Sequence, residues 1–561
     1  MVHLAAIHHA DGEPPKATDA ASAGVGADPD AAAKLIEKKT HLLQLASYGD
    51  EFTTSVYGSR FAAQELPTTK MPECQMPREV AYRMIKDELS LDGNPKLNLA
   101  SFVTTYMVRY CPAPPRTSLS TSPADPTTHV LQEDEAEKLM ADALPKNFID
   151  YEEYPQTAEI QNRCVNMIGD LFHAPSGSAI GTSSVGSSEA IMLAVLAMKR
   201  RWKIRRQAEG KSTENPNLIM SSAVQVCWEK ATRYFEIEEK FVYCTPERFV
   251  IDPEEMVSLC DENTIGCVLI MGTTYTGDYE DVKAVNDLLV KKKINVPIHV
   301  DAASGGFVAP FVTPDLEWDF RCEKVVSINV SGHKYGLVYP GVGWVVWRAP
   351  EYLPQDLVFN IDYLGAQQSS FTLNFSKGAS QVIGQYYQLI RLGKHGYRAI
   401  MSNLVRNADY LTESLESLGF KIMSKRAGEG LPLVAFRFAN EKEGGKERFY
   451  DEFALARQLR SRGWVVPAYT MAPHTNKLKM LRVVVREDFS RSKCDILIDD
   501  IKLCVGLLEQ TDEESLKKRE EYLNTHVPAA GRARHVKHKT HAYKDEKHSL
   551  QGKTGKTHAA C

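Results

Sequence analysis

Between Gly181 and Trp347 the chain repeats one pattern, in which short apolar runs alternate with segments that read as helices. The runs are "NLIMSS", "GCVLIMGTT", "VPIHVD", "VVSINVSG" and "GVGWVVW". A strand that is apolar on both faces has to be covered on both, and an intervening helix is the crossover that a parallel neighbour needs. The stretch therefore reads as an α/β domain with a largely parallel sheet. Such sheets collect ligands at the carboxyl ends of their strands, so the polar residues there are the ones to question.

Three of these places stand out. In "GTSSVGSSEAIMLAVLAMKRRW" a Gly/Ser loop runs into a helix that starts near Ser187, is apolar on nearly every face and carries Glu189 in its first turn. Free N–H groups at a helix start, with the hydroxyls of Ser187 and Ser188, form a cradle for a phosphate; a plain serine N-cap has the same appearance. Asp301 closes the buried-type run "VPIHVD", and the small residues after it let something flat approach the backbone. A carboxylate there can keep a proton on a ring nitrogen, or it can cap a turn. Lys334 lies in "SGHKYG" between two glycines, either in a surface loop or as a partly desolvated, reactive amine. Taken in order, the three share one explanation, pyridoxal 5′-phosphate. Lys334 would condense with its aldehyde, Asp301 would hold its pyridine nitrogen protonated, and Ser187 and Ser188 would anchor its phosphate. An amine beside a cationic ring loses its proton more readily and becomes a nucleophile.

The 561 residues exceed what one core can serve and imply two or three domains, while 43% hydrophobic and 25% charged residues are ordinary for a globular chain. The formal net charge of -5 offers no field for nucleic acid, and no segment has the roughly eighteen uncharged apolar residues of a membrane span. Eleven cysteines without a framework or CxxC spacing read as reduced core thiols, and the N-terminus has neither a secretory nor a transit pattern, so the expected location is cytoplasmic. The expected organisation is a disordered arm over 1–40, a helical segment over 41–96, a large cofactor-binding domain over 97–404, a smaller α+β domain over 405–515 and a flexible basic tail over 516–561. The tail's histidines are too irregular for a metal site, and it almost lacks the bulky apolar anchors of calmodulin recognition.

From about Val80 to Leu508 the chain resembles the glutamate decarboxylases shared by bacteria, plants and fungi. The resemblance is carried by "DELSLDGNPKLNLASF", "NFIDYEEYPQT", "GSSEAIM", "VQVCWEK", "TYTGDYE", "HVDAASGGFVAPF", "SGHKYGL", "FNIDYLG", "NFS" and "RGWVVPAYT". It implies a PLP-dependent transferase fold of type I, with a large, mostly parallel seven-stranded-sheet domain and a smaller C-terminal α+β domain. It also implies a homodimer or assembly of dimers with sites at the subunit interface. By the same resemblance Gln225 lies over one face of the cofactor ring, Thr274 and Ala303 lie near its other edges or face, and Ser331 and His333 join the phosphate contacts. Ser376 adds one from the neighbouring subunit. Ser101, Phe102 and Asp150 would meet the distal carboxylate of L-glutamate, Arg482 its α-carboxylate, and Tyr363 would protonate Cα. The implied catalytic set is Lys334, Asp301, Tyr363 and His333, with no metal. Asp150 facing a carboxylate is physically odd, because two carboxylates in hydrogen-bond reach do not both ionise cheaply.

Two rival readings are an aminotransferase or another amino-acid decarboxylase on the same lysine, aspartate and cradle, and a non-catalytic protein on a decayed fold. Ser101, Phe102 and Asp150 discriminate against the first, since an aromatic substrate needs an apolar pocket. Retention of Lys334, Asp301, both serines and Arg482 speaks against the second.

Overall fold

The computed structural model describes residues 78–90, 92, 94–104, 134–175, 177, 180–361 and 368–526. The expected N-terminal arm, Tyr363 and the tail beyond residue 526 lie outside the described residues. The chain forms two compact units, one up to Gly93 and one from Asn94 onward. The first contributes α1 (Arg78–Leu89), a helix with an Arg83–Asp87 ion pair one turn apart.

The second unit is built on seven strands, and their helices explain the crossovers. α2 (Asp134–Asp142) and α3 (Pro155–Leu171) precede β1 (Ile180–Ser184). Then come α4 (Ser187–Ala208), β2 (Asn217–Ser221), α5 (Val226–Tyr234), β3 (Glu238–Val242), α6 (Pro253–Ser258), β4 (Thr264–Ile270), α7 (Val282–Lys291), β5 (Ile298–Asp301), α8 (Ala309–Val312), β6 (Val325–Ser331) and β7 (Gly343–Trp347). In space the order is β1-β7-β6-β5-β4-β2-β3. β7 runs antiparallel to both of its neighbours, and every other pairing is parallel. The mostly parallel sheet expected from the apolar runs is therefore present. Every residue of β4, β6 and β7 is buried, as strands covered on both faces require. Helix starts are specified locally: Asp252 and Asp281 accept the N–H groups of Glu255 and Ala284, capping α6 and α7.

After β7, β8 (Phe359–Ile361) and β9 (Gln368–Ser370) form a separate antiparallel pair. The long α9 (Ser380–Ser417) is interrupted at Gly393, whose φ of 56° no helix interior accommodates, and leads to the second sheet. That sheet contains β10 (Phe420–Ile422), β11 (Leu433–Phe438), β12 (Ala468–Thr470) and β13 (Lys479–Val484), antiparallel in the order β10-β11-β13-β12. α10 (Glu452–Ser461) packs on β12 and β13, α9 packs on β10 and β11, and α11 (Arg491–Gln510) and α12 (Glu513–His526) follow. One apolar cluster runs from Val300 and Ile328 of the large sheet to Phe436 and Val483 of the small one. Each such fully buried aliphatic or phenyl side chain contributes about 1.5–3 kcal/mol, so the two sheets are joined by a continuous core. Among the described residues all cysteines are free thiols and all but Cys260 are buried, and no helix is long and apolar enough to cross a membrane.

Candidate active site

A cavity of about 320 Å³ opens at the carboxyl ends of the central strands. Ser187, Ser188, Gln225, Thr274, Asp301, Ala303, Ser331, His333 and Lys334 all line it, although they span almost 150 residues of sequence. Of the residues expected to hold the cofactor, Ser376 alone does not.

Lys334 follows the end of β6 in a turn whose tightness depends on its glycines. A Cβ on Gly336 would come within 2.5 Å of the Gly332 carbonyl oxygen, so the backbone folds onto itself only because residue 336 has no side chain, while a Cβ on Gly332 would meet Gln385 and Val342. The lysine is thereby directed inward. Its Nζ donates to Ser304 Oγ at 3.2 Å and lies 5.4 Å from the centroid of the Phe102 ring. His333 donates from Nδ1 to the Val342 carbonyl at 2.9 Å, and burial, then the charge of Lys334, hold its pKa below the ordinary value.

Asp301 is 6% exposed, and its carboxylate accepts three hydrogen bonds, which leaves room on its oxygens for one more donor. Trp228 Nε1–H donates to Oδ2 at 2.8 Å, while Asn329 Nδ2 and the Ala303 N–H donate to Oδ1 at 3.0 and 3.1 Å. Because Asn329 uses its NH₂ on the aspartate, its Oδ1 faces His299 Nε2 at 2.8 Å, and His299 Nδ1 in turn accepts from Ser327 Oγ at 2.8 Å. Burial pushes the His299 pKa down to about 4, so the ring is neutral and carries its proton on Nε2. The parallel register of β5 and β6 makes this possible, since it sets His299 opposite Ser327 and Asp301 opposite Asn329. Such a carboxylate is held in one orientation and stays available as an acceptor for a protonated ring nitrogen.

The cradle is equally determined. α4 begins after Gly186 in extended backbone, and Ser187 and Ser188 open its first turn. A Cβ on Gly343 of β7 would lie 2.8 Å from the Ser187 nitrogen, so β7 packs this closely against the helix start only as glycine. Ser187 Oγ and Ser331 Oγ are 2.5 Å apart, bringing hydroxyls from α4 and β6 to one point. Glu189 accepts the Val185 N–H with one oxygen and the Leu373 and Asn374 N–H groups with the other, fastening the segment before Ser376 to the same helix start.

The expected substrate contacts, taken with the expected phosphate contact Ser376, fall into two groups. Phe102 lines the cavity, and Ser101 precedes it with its Oγ accepting the Val103 N–H. Arg482 lies behind that wall, with its guanidinium 4.8 Å from the Phe102 ring centroid. It donates to the carbonyls of Thr274 and Ala100 and to Tyr469 Oη, while its buried Nε has no hydrogen-bond partner among the described residues. Asp150 and Ser376 are elsewhere. Asp150 Oδ1 accepts the N–H groups of Glu152 and Glu153, Asn147 Nδ2 donates to Ser376 Oγ at 3.4 Å, and neither Asp150 nor Ser376 lines the cavity of this chain.

The motifs did not point to Trp228, His299, Asn329 or Ser304. A signal existed for two of them. His299 and Asn329 are polar residues two positions from Asp301 and Ser331 on otherwise apolar strands, hence on the same face.

Residues 72–439 match the model of the pyridoxal-dependent decarboxylase conserved domain. The chain belongs to the pyridoxal-dependent decarboxylase family. It is 51% identical to a glutamate decarboxylase of Petunia hybrida over 82% of this chain and 87% of that one, and 43% identical to one of Aliivibrio fischeri over 81% and 93%. Its fold matches the solved glutamate decarboxylase of Lactobacillus brevis with a TM-score of 0.74 and 41% identity, covering 82% of this chain and 99% of that one. The cofactor of the family is pyridoxal phosphate, and the site fits it: a lysine directed inward, a fixed carboxylate and a hydroxyl-lined helix start share one cavity.

Proposed function

We propose that this chain converts L-glutamate to 4-aminobutanoate and carbon dioxide. The observation that carries the reading is the convergence of Lys334, Asp301 and the Ser187–Ser188 cradle on one cavity, in a chain about half identical to glutamate decarboxylases over most of its length. When bound, pyridoxal phosphate supplies the electron sink for the bond to the departing carboxylate. Lys334 is the amine that holds it, Asp301 keeps the proton on its ring nitrogen, and Ser187, Ser188, Ser331 and His333 hold its phosphate, with Gln225, Thr274 and Ala303 around the ring. Ser101 and Phe102 orient the distal carboxylate, and Arg482, behind Phe102, is the residue assigned to the α-carboxylate. Fixing the substrate at both ends selects which bond at Cα is aligned to break. Tyr363 is the proposed proton donor to Cα. A carboxylate is exchanged for hydrogen, so each turnover takes up one proton.

Asp150 and Ser376 stand away from this chain's cavity, which supports a homodimer or assembly of dimers in which they serve a neighbouring site. A cytoplasmic location completes the reading.

The experiment is to supply L-glutamate to the purified, cofactor-loaded protein at mildly acidic pH and to follow carbon dioxide and 4-aminobutanoate by mass spectrometry, with L-aspartate in parallel. Equal amounts of both products, abolished by Lys334→Ala and with aspartate turned over far more slowly, are expected. Bound cofactor with untouched glutamate would overturn the substrate assignment and leave the family standing.

A further inference from the structure

Among the described residues one buried ammonium makes no hydrogen bond or ion pair. Lys377 is 9% exposed, and its Nζ lies 5.6 Å from the centroid of the Phe148 ring. Burial pushes its pKa down to about 8, and the opposing charge is that of Glu189, whose oxygens are already taken by three backbone N–H groups. An enclosed ammonium without a hydrogen-bonded counter-ion is costly, and lysine is almost never buried unless paired. The arrangement is that of a site waiting for an anion.

The surroundings say which anion. The Lys377 N–H donates to Asn147 Oδ1 at 2.8 Å and its carbonyl accepts the Phe148 N–H at 3.0 Å, so the segment bearing Lys377 is paired with the one leading to Asp150. Neither segment lines the cavity of this chain. A distal carboxylate met by Ser101, Phe102 and Asp150 alone would face a second negative charge and no cation. Lys334 is committed to the cofactor, and Arg482, bonded to carbonyls behind Phe102, is assigned to the α-carboxylate. The missing positive charge is on Lys377.

We propose that Lys377 is the specificity-determining cation for the distal carboxylate of the substrate, presented with Asp150 to the cavity of a second copy of this chain. The proposal rests on the glutamate reading above and deepens it by assigning the group that distinguishes a dicarboxylate from a monocarboxylate.

The test uses the cofactor-loaded protein with two competitive probes, glutarate and pentanoate, which differ in one terminal carboxylate. Lys377→Met is expected to raise the glutamate KM and the glutarate inhibition constant at least about tenfold and to leave pentanoate unchanged, while Lys377→Arg restores most of the loss. In mixed assemblies of Lys377→Met and Lys334→Ala subunits, one site regains both lysines, so activity returns to about a quarter of the wild-type level. Equal weakening of both probes with looser cofactor binding would place the ammonium on the phosphate and overturn the proposal. A change in thermal stability alone, no recovery in mixed assemblies, or a protein that is monomeric in solution would overturn it as well. Wild-type protein that leaves glutamate untouched would instead reject the underlying reading.

Discussion

At Asp301 the useful property is orientation as much as charge. Three donors, from α5, β6 and the turn after β5, hold its two oxygens, and behind Asn329 a neutral His299 and Ser327 fix which way the amide faces. Removing one donor should therefore loosen the carboxylate without deleting it. Trp228→Phe keeps the ring and loses the Nε1–H; a hydrogen bond to a charged group is worth about 1.5–3 kcal/mol, so cofactor affinity should fall by about tenfold or more. The dissociation constant, measured by titration of the visible absorbance of the bound cofactor, checks this, and an unchanged value would mean that Asn329 and Ala303 suffice. Asp301 could be chosen from its strand-end position alone, whereas Trp228, 73 residues earlier, could not, because its indole reaches the carboxylate only across the sheet.

Among the elements, the turn after β6 decides whether Lys334 is a surface lysine or a site lysine. Gly332 and Gly336 are in backbone-to-backbone contact, so no side-chain rotamer can relieve an added methyl group. Gly336→Ala should cost about 1–3 kcal/mol in overpacking and displace the lysine, seen as a lowered Tm with loss of cofactor attachment. Gly186→Ala is the contrast: its Cβ would meet His333 Cε1 at an ordinary 3.8 Å, and Tm should scarcely change. The two glycines of "SGHKYG" were visible as a crowded turn in the sequence. Gly343, which lets β7 approach the Ser187 nitrogen, was not, because its neighbour lies 156 residues away and is set by strand order.

For the molecule as a whole, buried acids give stability a pH dependence. Burial pushes Glu280 up to about 7 and Asp278 up to about 6, from ordinary values of 4.5 and 3.8. A carboxyl raised on folding contributes stability that is complete below its unfolded pKa and is lost as pH rises through the folded one, here between about pH 4 and 7. His299, held down to about 4, acts oppositely: its contribution is complete above 6.5 and is lost as pH falls through 4. Between pH 6.5 and about 7 the His299 contribution is already complete while Glu280 still titrates, so Tm should go on falling there and level off above pH 7 as far as these groups decide it. Glu280→Gln should flatten the fall, recovering up to about 3 kcal/mol at pH 8 and little at pH 5, as thermal scans at the two pH values would show. A variant equally destabilised at both values would refute the assignment.

What the sequence by itself determined is local chemistry: apolar runs that must be covered on both faces, a helix start with two serines, an aspartate at a strand end, a lysine held between glycines. These follow from period, residue type and immediate neighbours, and their order, with the long motif blocks, sufficed to indicate the cofactor and the family. Tertiary structure alone decided the partners. It placed Trp228 and Asn329 on Asp301, drew Glu189 onto the segment before Ser376, set Arg482 behind Phe102 and left Lys377 enclosed without a hydrogen-bonded counter-ion among the described residues. The physical reason is that a buried polar atom takes its partner from strand register and strand order. In this sheet those join residues tens to hundreds of positions apart, beyond the reach of any local pattern.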